Sequence, residues 1–365
     1  MECVWGRWER ELLADVEPWE IARARDAAER EDAVARDLAF GTGGIRALMG
    51  IGPNRLNRLT VARVSAGVAA YLRGECDRRP TVVIAYDTRR HSEDFAQVAA
   101  GAFAAAGVRA LVFDAPCATP ILSFAVPRFA ADAGVVITAS HNPMEYNGYK
   151  VYGPLGDQAT DKLAHAVQAA VGEQDPFRVP VTPFHECVAS GAVEMIDGSV
   201  SEEFVRAVLA QSTGTPCANI SVAYTPLHGC GLVPVEKTLE ARGIRYALVE
   251  EQCEPDGTFR TCPNPNPELA TAMSHVMRRA READADLALA NDPDVDRIGV
   301  GVRHGADMTL LTGDEVGLLL LDYMCRATKL PERPIALTTI VSSPLLDARP
   351  PLHLWQRHGC PPWRQ

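Results

Sequence analysis

Two short segments of this sequence carry residue types with which proteins perform nucleophilic and metal-assisted chemistry. The first, 138–143, reads Thr-Ala-Ser-His-Asn-Pro and directly follows the apolar run 135–137. Ser140 and His141 therefore follow a predicted strand, at the sheet edge where open α/β folds bind ligands. With Lys150 returning toward it, Ser140 could act as a nucleophile or phosphate carrier. The alternative is a capping serine in an ordinary loop.

The second segment, 291–297, reads Asn-Asp-Pro-Asp-Val-Asp-Arg and lies between two predicted strands. Its carboxylates occupy alternate positions: Asp292, Asp294 and Asp296. So close together they repel one another unless a cation neutralises them, and hard oxygen ligands suit Mg²⁺. An EF-hand is excluded, because Arg297 and Arg303 stand where that loop needs glycine and glutamate. The alternative is a solvated acidic turn.

Three weaker features could bind an anion. The glycine-rich stretch 40–46 ends in Arg46, and Arg89 follows another predicted strand. Backbone N–H groups and guanidinium groups both suit phosphate. The stretch is not a dinucleotide fingerprint, because Arg46 replaces the third glycine of that pattern. His228 also follows a predicted strand, but a structural role is the simpler interpretation of a lone histidine.

The elements that must position these residues alternate between strands and helices. The predicted strands of the first half are 81–86, 111–113 and 134–138, with a helix over 92–106 that Gly107 ends. Those of the second half are 221–224, 245–250, 286–290 and 298–302. This alternation predicts an α/β fold of successive three-layer α/β/α domains with mixed, mainly parallel sheets.

The predicted organisation has five parts. They are a helical lead-in (1–39, with a helix over 20–39), a first domain (40–190), a second (195–310), part of a third (311–347, with a helix over 314–325 and a strand over 336–341) and an atypical, disordered tail (348–365). The polar, proline-broken stretch 172–200 separates the two complete domains. Acid–base pairs from Glu20 to Arg23 and from Asp32 to Arg36 support the lead-in helix.

Composition narrows the function classes. The net charge of −11 argues against a nucleic-acid or membrane-surface partner. No run approaches the roughly 18 apolar residues of a membrane span. The ten cysteines include no C-x-x-C pair, which predicts reduced thiols rather than disulfides or zinc ligands. We therefore expect a cytoplasmic protein.

Together these motifs resemble the α-D-phosphohexomutase superfamily, which contains the phosphoglucomutases and phosphomannomutases. The resemblance covers roughly residues 20–345, in the expected order, and the seryl and acidic segments are its most specific part. Four further stretches are similar to the branch that holds phosphopentomutase and glucose-1,6-bisphosphate synthase: 40–46, 54–57, 225–229 and 291–294.

This resemblance implies a role for each candidate residue. Ser140 would carry the phosphoryl group and, with the three aspartates, bind one Mg²⁺. His141 and Lys150 would be general acid/base groups, and Lys150 could be a base only if its pKa were lowered. The residues implied to bind phosphate are Arg46, Arg89, Lys150, His228 and Arg297, with Arg46 also catalytic. The reaction would move a phosphoryl group between the 1- and 6- (or 5-) positions of a sugar phosphate, primed by a sugar bisphosphate.

The sequence also departs from the family. The family has four domains, with a Gly-Glu-rich sugar loop in the third and an Arg/Ser/Gly/Thr phosphate loop in the fourth, and neither motif is present. The sequence diverges after about Leu346, so we expect a truncated chain without domain IV and with weak or no mutase turnover. Two alternatives stay open: an Mg²⁺-dependent phosphatase with a seryl-phosphate intermediate, and a non-catalytic fragment that self-associates through an exposed edge of domain III.

Overall fold

The computed structural model describes residues 2–41, 43–217 and 219–330, with residues 332, 334–339 and 358–360 beyond them. The helices are α1 (Glu2–Leu12), α2 (Pro18–Ala24), α3 (Ala27–Val34), α4 (Arg58–Glu75), α5 (Ser92–Ala105), α6 (Thr119–Arg128), α7 (Asp161–Gly172), α8 (Phe184–Ala189), α9 (Ser199–Ala210), α10 (Leu232–Ala241), α11 (Ala270–Glu282) and α12 (Gly313–Ala327). None of the helices described is long and apolar enough to cross a membrane.

The strands form two main sheets. The first has the order β1-β5-β4-β2-β3-β6 and contains β1 (Ile45–Leu48), β2 (Thr81–Tyr86), β3 (Arg109–Phe113), β4 (Ala133–Ile137), β5 (Tyr146–Tyr152) and β6 (Val193–Ile196). The second has the order β11-β10-β9-β7-β8 and contains β7 (Ser221–Thr225), β8 (Arg245–Leu248), β9 (Leu287–Asn291), β10 (Ile298–His304) and β11 (Asp307–Leu311). A separate parallel pair joins β12 (Leu337–Thr339) to β13 (His358–Cys360).

The first sheet is buried on both faces. All six residues of β2 are buried. Val82 and Ile84 belong to one hydrophobic cluster, whereas Val83 and Ala85 belong to another. Because successive side chains of a strand point to opposite faces, helices must cover both sides of the sheet. The central strands pair in parallel and the β1–β5 edge is antiparallel, which confirms the predicted α/β class with mixed, mainly parallel sheets.

The predicted continuous helix over 20–39 is wrong. The chain leaves helical geometry at Asp26, whose carboxylate accepts hydrogen bonds from the first amides of α3, and α3 ends at Val34. The predicted pairs differ as well, because Arg23 binds Glu29, and Asp32 binds the buried Arg55. An N-capping aspartate starts a new helix rather than continuing an old one.

The remaining predicted boundaries compare with the structure as follows, and the first of them differs. The first sheet takes in β6, which lies beyond residue 190, so we propose to place the first domain's end after this strand. The predicted helix over 314–325 is α12, which has no buried residue. The predicted strand over 336–341 contains β12, and its residues 340–341 lie outside the described part of the chain. So does the predicted tail, apart from the three residues of β13.

We call the first sheet with its covering helices the first unit, and the second sheet with its helices the second unit. The two units touch next to the carboxyl ends of β2 and β4. Thr88 Oγ1 donates a hydrogen bond to the carbonyl of His228 at 2.9 Å. The amide of Thr119 donates to the carbonyl of Asp294, also at 2.9 Å. The seryl and acidic segments therefore face each other across this junction.

Candidate active site

Ser140 lies in the turn that follows β4. It is buried, and its backbone has the left-handed φ of 53°, an uncommon conformation for a residue other than glycine. Its amide donates to Thr138 Oγ1 at 2.8 Å, and that hydroxyl donates to Asp87 Oδ2 at 2.6 Å. A strained residue held by buried hydrogen bonds is a common feature of functional sites.

The Ser140 hydroxyl points at the acidic segment of the second unit. It donates to Asp292 Oδ2 at 2.6 Å, and Asp296 Oδ1 lies 3.3 Å from it. On its own unit the nearest side-chain partner is His141 Nδ1, at 3.2 Å. The structure therefore brings together the two segments that the sequence singled out, although about 150 residues separate them.

Three carboxylates and one ammonium make the site electrostatically dense. One oxygen from each aspartate lies within 4.8 Å of the others. Lys150 Nζ donates to Asp294 Oδ2 at 2.8 Å and to Asp296 Oδ2 at 3.1 Å. Burial and the charges of the other two aspartates raise the pKa of Asp292. Burial also acts to raise the pKa of Asp294, but the Lys150 ammonium outweighs it and holds that pKa below its usual value.

Lys150 itself is held as a cation. Burial of the ammonium acts to lower its pKa, but Asp294 and Asp296 outweigh this effect and raise the pKa above the ordinary lysine value. Lys150 could act as a base only if its pKa were lowered, and this condition is therefore not met. Because it keeps its proton, Lys150 is suited to neutralising negative charge.

The acidic residues fit a hard divalent cation. Asp294 Oδ1 is buried and accepts no hydrogen bond, so this oxygen is left with free lone pairs. Convergent carboxylate oxygens are the donor set that Mg²⁺ prefers. Asp292, Asp294 and Asp296 could hold one such ion beside the Ser140 oxygen.

Two arginines, Arg46 and Arg297, lie close enough to His141, the neighbour of Ser140, to act on its charge. Arg46, on β1, donates to Asn142 Oδ1 at 2.9 Å. Arg297 lies 3.3 Å from Glu268 Oε1 and 3.9 Å from Asp296 Oδ1. Burial, together with the Arg297 and Arg46 cations, lowers the pKa of His141 to about 4. The imidazole is therefore neutral at pH 7 and can accept a proton.

Two predicted phosphate-binding residues are engaged elsewhere. The Arg89 side chain is fully buried beneath the Ser140 turn, and its guanidinium binds backbone carbonyls of that turn. His228 is also fully buried, with Nε2 2.8 Å from Thr261 Oγ1 and Nδ1 3.0 Å from the carbonyl of Glu254. Both side chains are buried and contact protein atoms in the structure described, so binding of a phosphate by Arg89 or His228 stays a prediction.

Sequence reasoning missed Thr119 and Asp87. Thr119 Oγ1 donates to Asp294 Oδ2 at 2.9 Å, across the junction of the units. Asp87 holds Thr138 and so supports the Ser140 amide. Asp87 follows the end of β2, just as Ser140 follows the end of β4. This position after a parallel strand is the sequence signal that could have identified Asp87. Nothing local to Thr119 marks it.

Comparisons with known proteins show which family the chain is similar to. Residues 37–177 match the model of phosphoglucomutase/phosphomannomutase α/β/α domain I, and residues 202–305 match that of domain II. A phosphoglucomutase of Staphylococcus haemolyticus is 34% identical over 319 residues, covering 87% of this chain and 58% of that protein. One of Staphylococcus epidermidis is 36% identical over 329 residues, covering 89% and 60%.

A solved structure shares the fold. A Thermus thermophilus protein assigned as a phosphomannomutase superposes with a TM-score of 0.75 at 24% identity, covering 89% of this chain and 69% of that one. At this identity the likeness concerns the fold alone. The chain spans about three fifths of the length of the two staphylococcal relatives.

Proposed function

Because the chain belongs to the phosphoglucomutase/phosphomannomutase family, we propose that it transfers a phosphoryl group to and from a sugar phosphate through Ser140. The observation that carries the proposal is the 2.6 Å contact of Ser140 Oγ with Asp292, at the junction of the two matched domains. A nucleophilic oxygen beside a cation site and basic side chains is what phosphoryl transfer needs, since most of this catalysis is positioning and charge neutralisation.

The proposed step exchanges one O–P bond for another. The bond between Ser140 Oγ and phosphorus breaks as a bond from a sugar hydroxyl oxygen to phosphorus forms, and the sugar hydroxyl loses its proton. His141 is suited to accept that proton because its imidazole is neutral, and Lys150 is suited to stabilise the serine oxygen as it is released. Reorientation of the bisphosphorylated sugar and the reverse step would return the other phosphoryl group to Ser140.

Three aspartates and the seryl phosphate would hold one Mg²⁺, which supplies positive charge to the phosphoryl oxygens when bound. Arg46 and Arg297, the two cations near His141, would bind phosphoryl oxygens. The substrate class is a sugar monophosphate, and a sugar bisphosphate would prime the serine.

We also propose a reducing, cytoplasmic location and one self-association surface. The eight cysteines whose side chains the structure describes are free thiols, as a reducing compartment favours. Leu319 and Leu320 on α12 are each 58% exposed. Apolar side chains exposed side by side favour association, so the predicted self-association near the third domain stays a prediction.

The test is phosphorylation of the purified chain by glucose 1,6-bisphosphate with Mg²⁺, followed by intact mass. We expect the wild type to gain one phosphoryl group, Ser140→Ala to gain none, and Ser274→Ala, which removes an exposed α11 hydroxyl, to behave as the wild type. Equal labelling of Ser140→Ala would refute the assignment. Net release of inorganic phosphate at the rate of labelling would instead favour the phosphatase alternative.

A further inference from the structure

Arg89 is a charged side chain with no exposure to solvent, and its hydrogen bonds converge on one loop. Nη1 donates to the carbonyls of Pro143 and Tyr146 at 2.9 and 3.2 Å. Nη2 donates to the carbonyl of Ser140 at 2.6 Å and to that of Asn142. One guanidinium therefore fixes four carbonyls within the seven-residue span 140–146.

The charge of Arg89 is balanced on its other side by Asp87, which is equally buried. Arg89 Nε lies 3.3 Å from Asp87 Oδ2, although its N–H is not aligned for a hydrogen bond. Asp87 also accepts from Ser92 and Thr138, and Thr138 holds the Ser140 amide. Arg89 and Asp87 thus hold the Ser140 turn by its carbonyls and by its amide, entirely from within the first unit.

The second unit contacts this support through Phe259. The fully buried Phe259 ring has its centroid 4.7 Å from Arg89 Cζ, a cation–π distance. Phe259 has a left-handed φ of 49°, and its amide is hydrogen-bonded to the carbonyl of Asp256. A Cβ added at the neighbouring Gly257 would lie 2.5 Å from the Arg90 amide nitrogen, so the backbones of the two units are in close contact here.

We propose that Arg89 and Phe259 form a positioning pair that sets the Ser140 oxygen against the metal ligands of the second unit. The catalytic role of this pair rests on the proposed function of Ser140, whereas its contacts do not depend on that function. Ser140 lies on one unit and Asp292 on the other, so their 2.6 Å contact requires the units to be in register. Arg89 contacts the Phe259 ring of the second unit and donates hydrogen bonds to the carbonyls of the serine turn. These two sets of contacts connect the second unit to the turn.

Loss of this pair should lower the rate of phosphorylation rather than the affinity for the bisphosphate. Arg89 and Phe259 are both fully buried side chains, so neither is placed to bind the sugar in the ground state. A displacement of about 1 Å in a reacting group can reduce a rate about 100-fold. Loosening the pair should therefore slow phosphorylation at saturating bisphosphate and leave the half-saturating concentration within about twofold.

The experiment compares Phe259→Leu, Arg89→Lys and the double variant with Phe129→Leu as the matched control. Phe129 also stacks on an arginine, Arg128, with 5.6 Å between Arg128 Cζ and the ring centroid, but that pair lies away from Ser140. Single-turnover labelling by glucose 1,6-bisphosphate with Mg²⁺ gives the rate and the half-saturating concentration. We expect each single variant to lose at least about tenfold in rate, and the double variant to lose less than the product of the two.

Hydrogen exchange provides a readout that needs no activity. We expect both single variants to speed exchange of the amides in 138–147 at least about tenfold, with exchange in β3 unchanged, and Phe129→Leu to leave both segments as in the wild type. Wild-type exchange of 138–147 in Phe259→Leu would overturn the pair. If Phe259→Leu does not fold, Arg89→Lys tests whether the pair holds the turn, because lysine keeps the positive charge but lacks the planar guanidinium with its several donors.

The two proposals fail separately. A wild type that takes no label from the bisphosphate would sink the proposed function, whereas the exchange data would still decide whether the pair holds the turn. A labelled wild type with unchanged rates in the Phe259→Leu variant would sink the pair alone. Strictly multiplicative losses in the double variant would likewise show that the two side chains act independently, and would overturn the pairing.

Discussion

Lys150 is buried between two carboxylates and takes part in the charge balance of the site. Its ammonium contacts Asp294 and Asp296 at 2.8 and 3.1 Å. Removing one partner of a buried ion pair leaves an uncompensated charge, which typically costs about 3–5 kcal/mol. The lysine therefore stabilises the acidic segment by the same kind of interaction that a divalent cation would provide.

We expect Lys150→Met to lower the free energy of unfolding by about 3 kcal/mol in EDTA. The loss should shrink in Mg²⁺, because a bound ion would neutralise the two carboxylates and stabilise the folded state by mass action. Urea unfolding in the two buffers measures both effects. Lys162→Met, at an exposed position of α7, is the control, and equal losses for the two variants would contradict the argument.

At this scale the sequence marked the residues that the structure brings together in the candidate site, but not the residues that hold them in place. Ser140 and the three aspartates are recognisable because their own neighbours in the chain define the motif. The contacts of Arg89 could not be predicted, because its partners are carbonyls more than 50 residues away and carry no side-chain signal. A basic residue at the edge of a sheet is equally compatible with phosphate and with a buried loop.

Packing of the elements beneath the site depends on close approach of two helices. Gly67 on α4 faces α7, and a Cβ added there would lie 2.4 Å from Val171 Cγ2 and 2.8 Å from Val171 Cα. Backbone is among the crowded atoms, so rotation of a side chain cannot relieve the contact. The separation of α4 and α7, and hence their fit on the first sheet, requires glycine at this position.

Gly67→Ala is expected to lower the free energy of unfolding by about 1–3 kcal/mol through overpacking. Gly74→Ala in the same helix is the matched control, because nothing lies within 4 Å of its added Cβ. There the better helix propensity of alanine should raise stability by up to about 1 kcal/mol. Denaturant midpoints give both values, and the same sign for both variants would be evidence against the packing argument.

Strands and helices with a clear hydrophobic pattern were predicted well. The lead-in helices, whose boundary depends on a capping residue, were not. The predicted strand over 81–86 coincides with β2, and the predicted helix over 92–106 is α5 to within one residue. The lead-in failed because composition alone favours one long helix, whereas Asp26 caps a new one. The polar stretch 172–200 hid β6, because only its first and last residues are buried.

Over the whole molecule, the amino-terminal helices are tied to the first unit by an ionic cluster. His91 Nε2 lies 3.4 Å from Glu20 Oε2 and 3.6 Å from Glu17 Oε1, and its Nδ1 lies 3.5 Å from Asp94 Oδ2. The nearby carboxylates of Asp94 and Glu20, opposed by burial of the imidazole, raise the pKa of His91 to about 9. Arg90 adds a second cation to Glu17.

This cluster predicts a pH dependence of stability. Since the folded-state pKa is raised above the unfolded value of about 6.5, the stabilisation is complete below pH 6.5 and disappears as the pH rises through 9. After allowance for solvent screening we expect about 1–2 kcal/mol from this group.

His91→Gln should therefore lose that amount at pH 6, and the difference from the wild type should vanish near pH 10. Urea midpoints across this range measure it. His185→Gln, at a largely exposed position, should show no such trend. A constant difference at every pH would argue that His91 acts by packing alone.

The contact between Ser140 and Asp292 has a consequence for synthesis of the chain. Ser140 follows a strand of a sheet whose last strand ends at residue 196, whereas its acidic partners lie about a hundred residues later, between β9 and β10. Domains generally fold as units during translation, amino-terminal first. A ribosome-bound chain would thus carry a folded serine turn for several seconds, at about 5–20 residues per second, before the residues that complete the site emerge. The nascent first unit would carry Ser140 without its acidic partners, so the candidate site would be complete only late in synthesis.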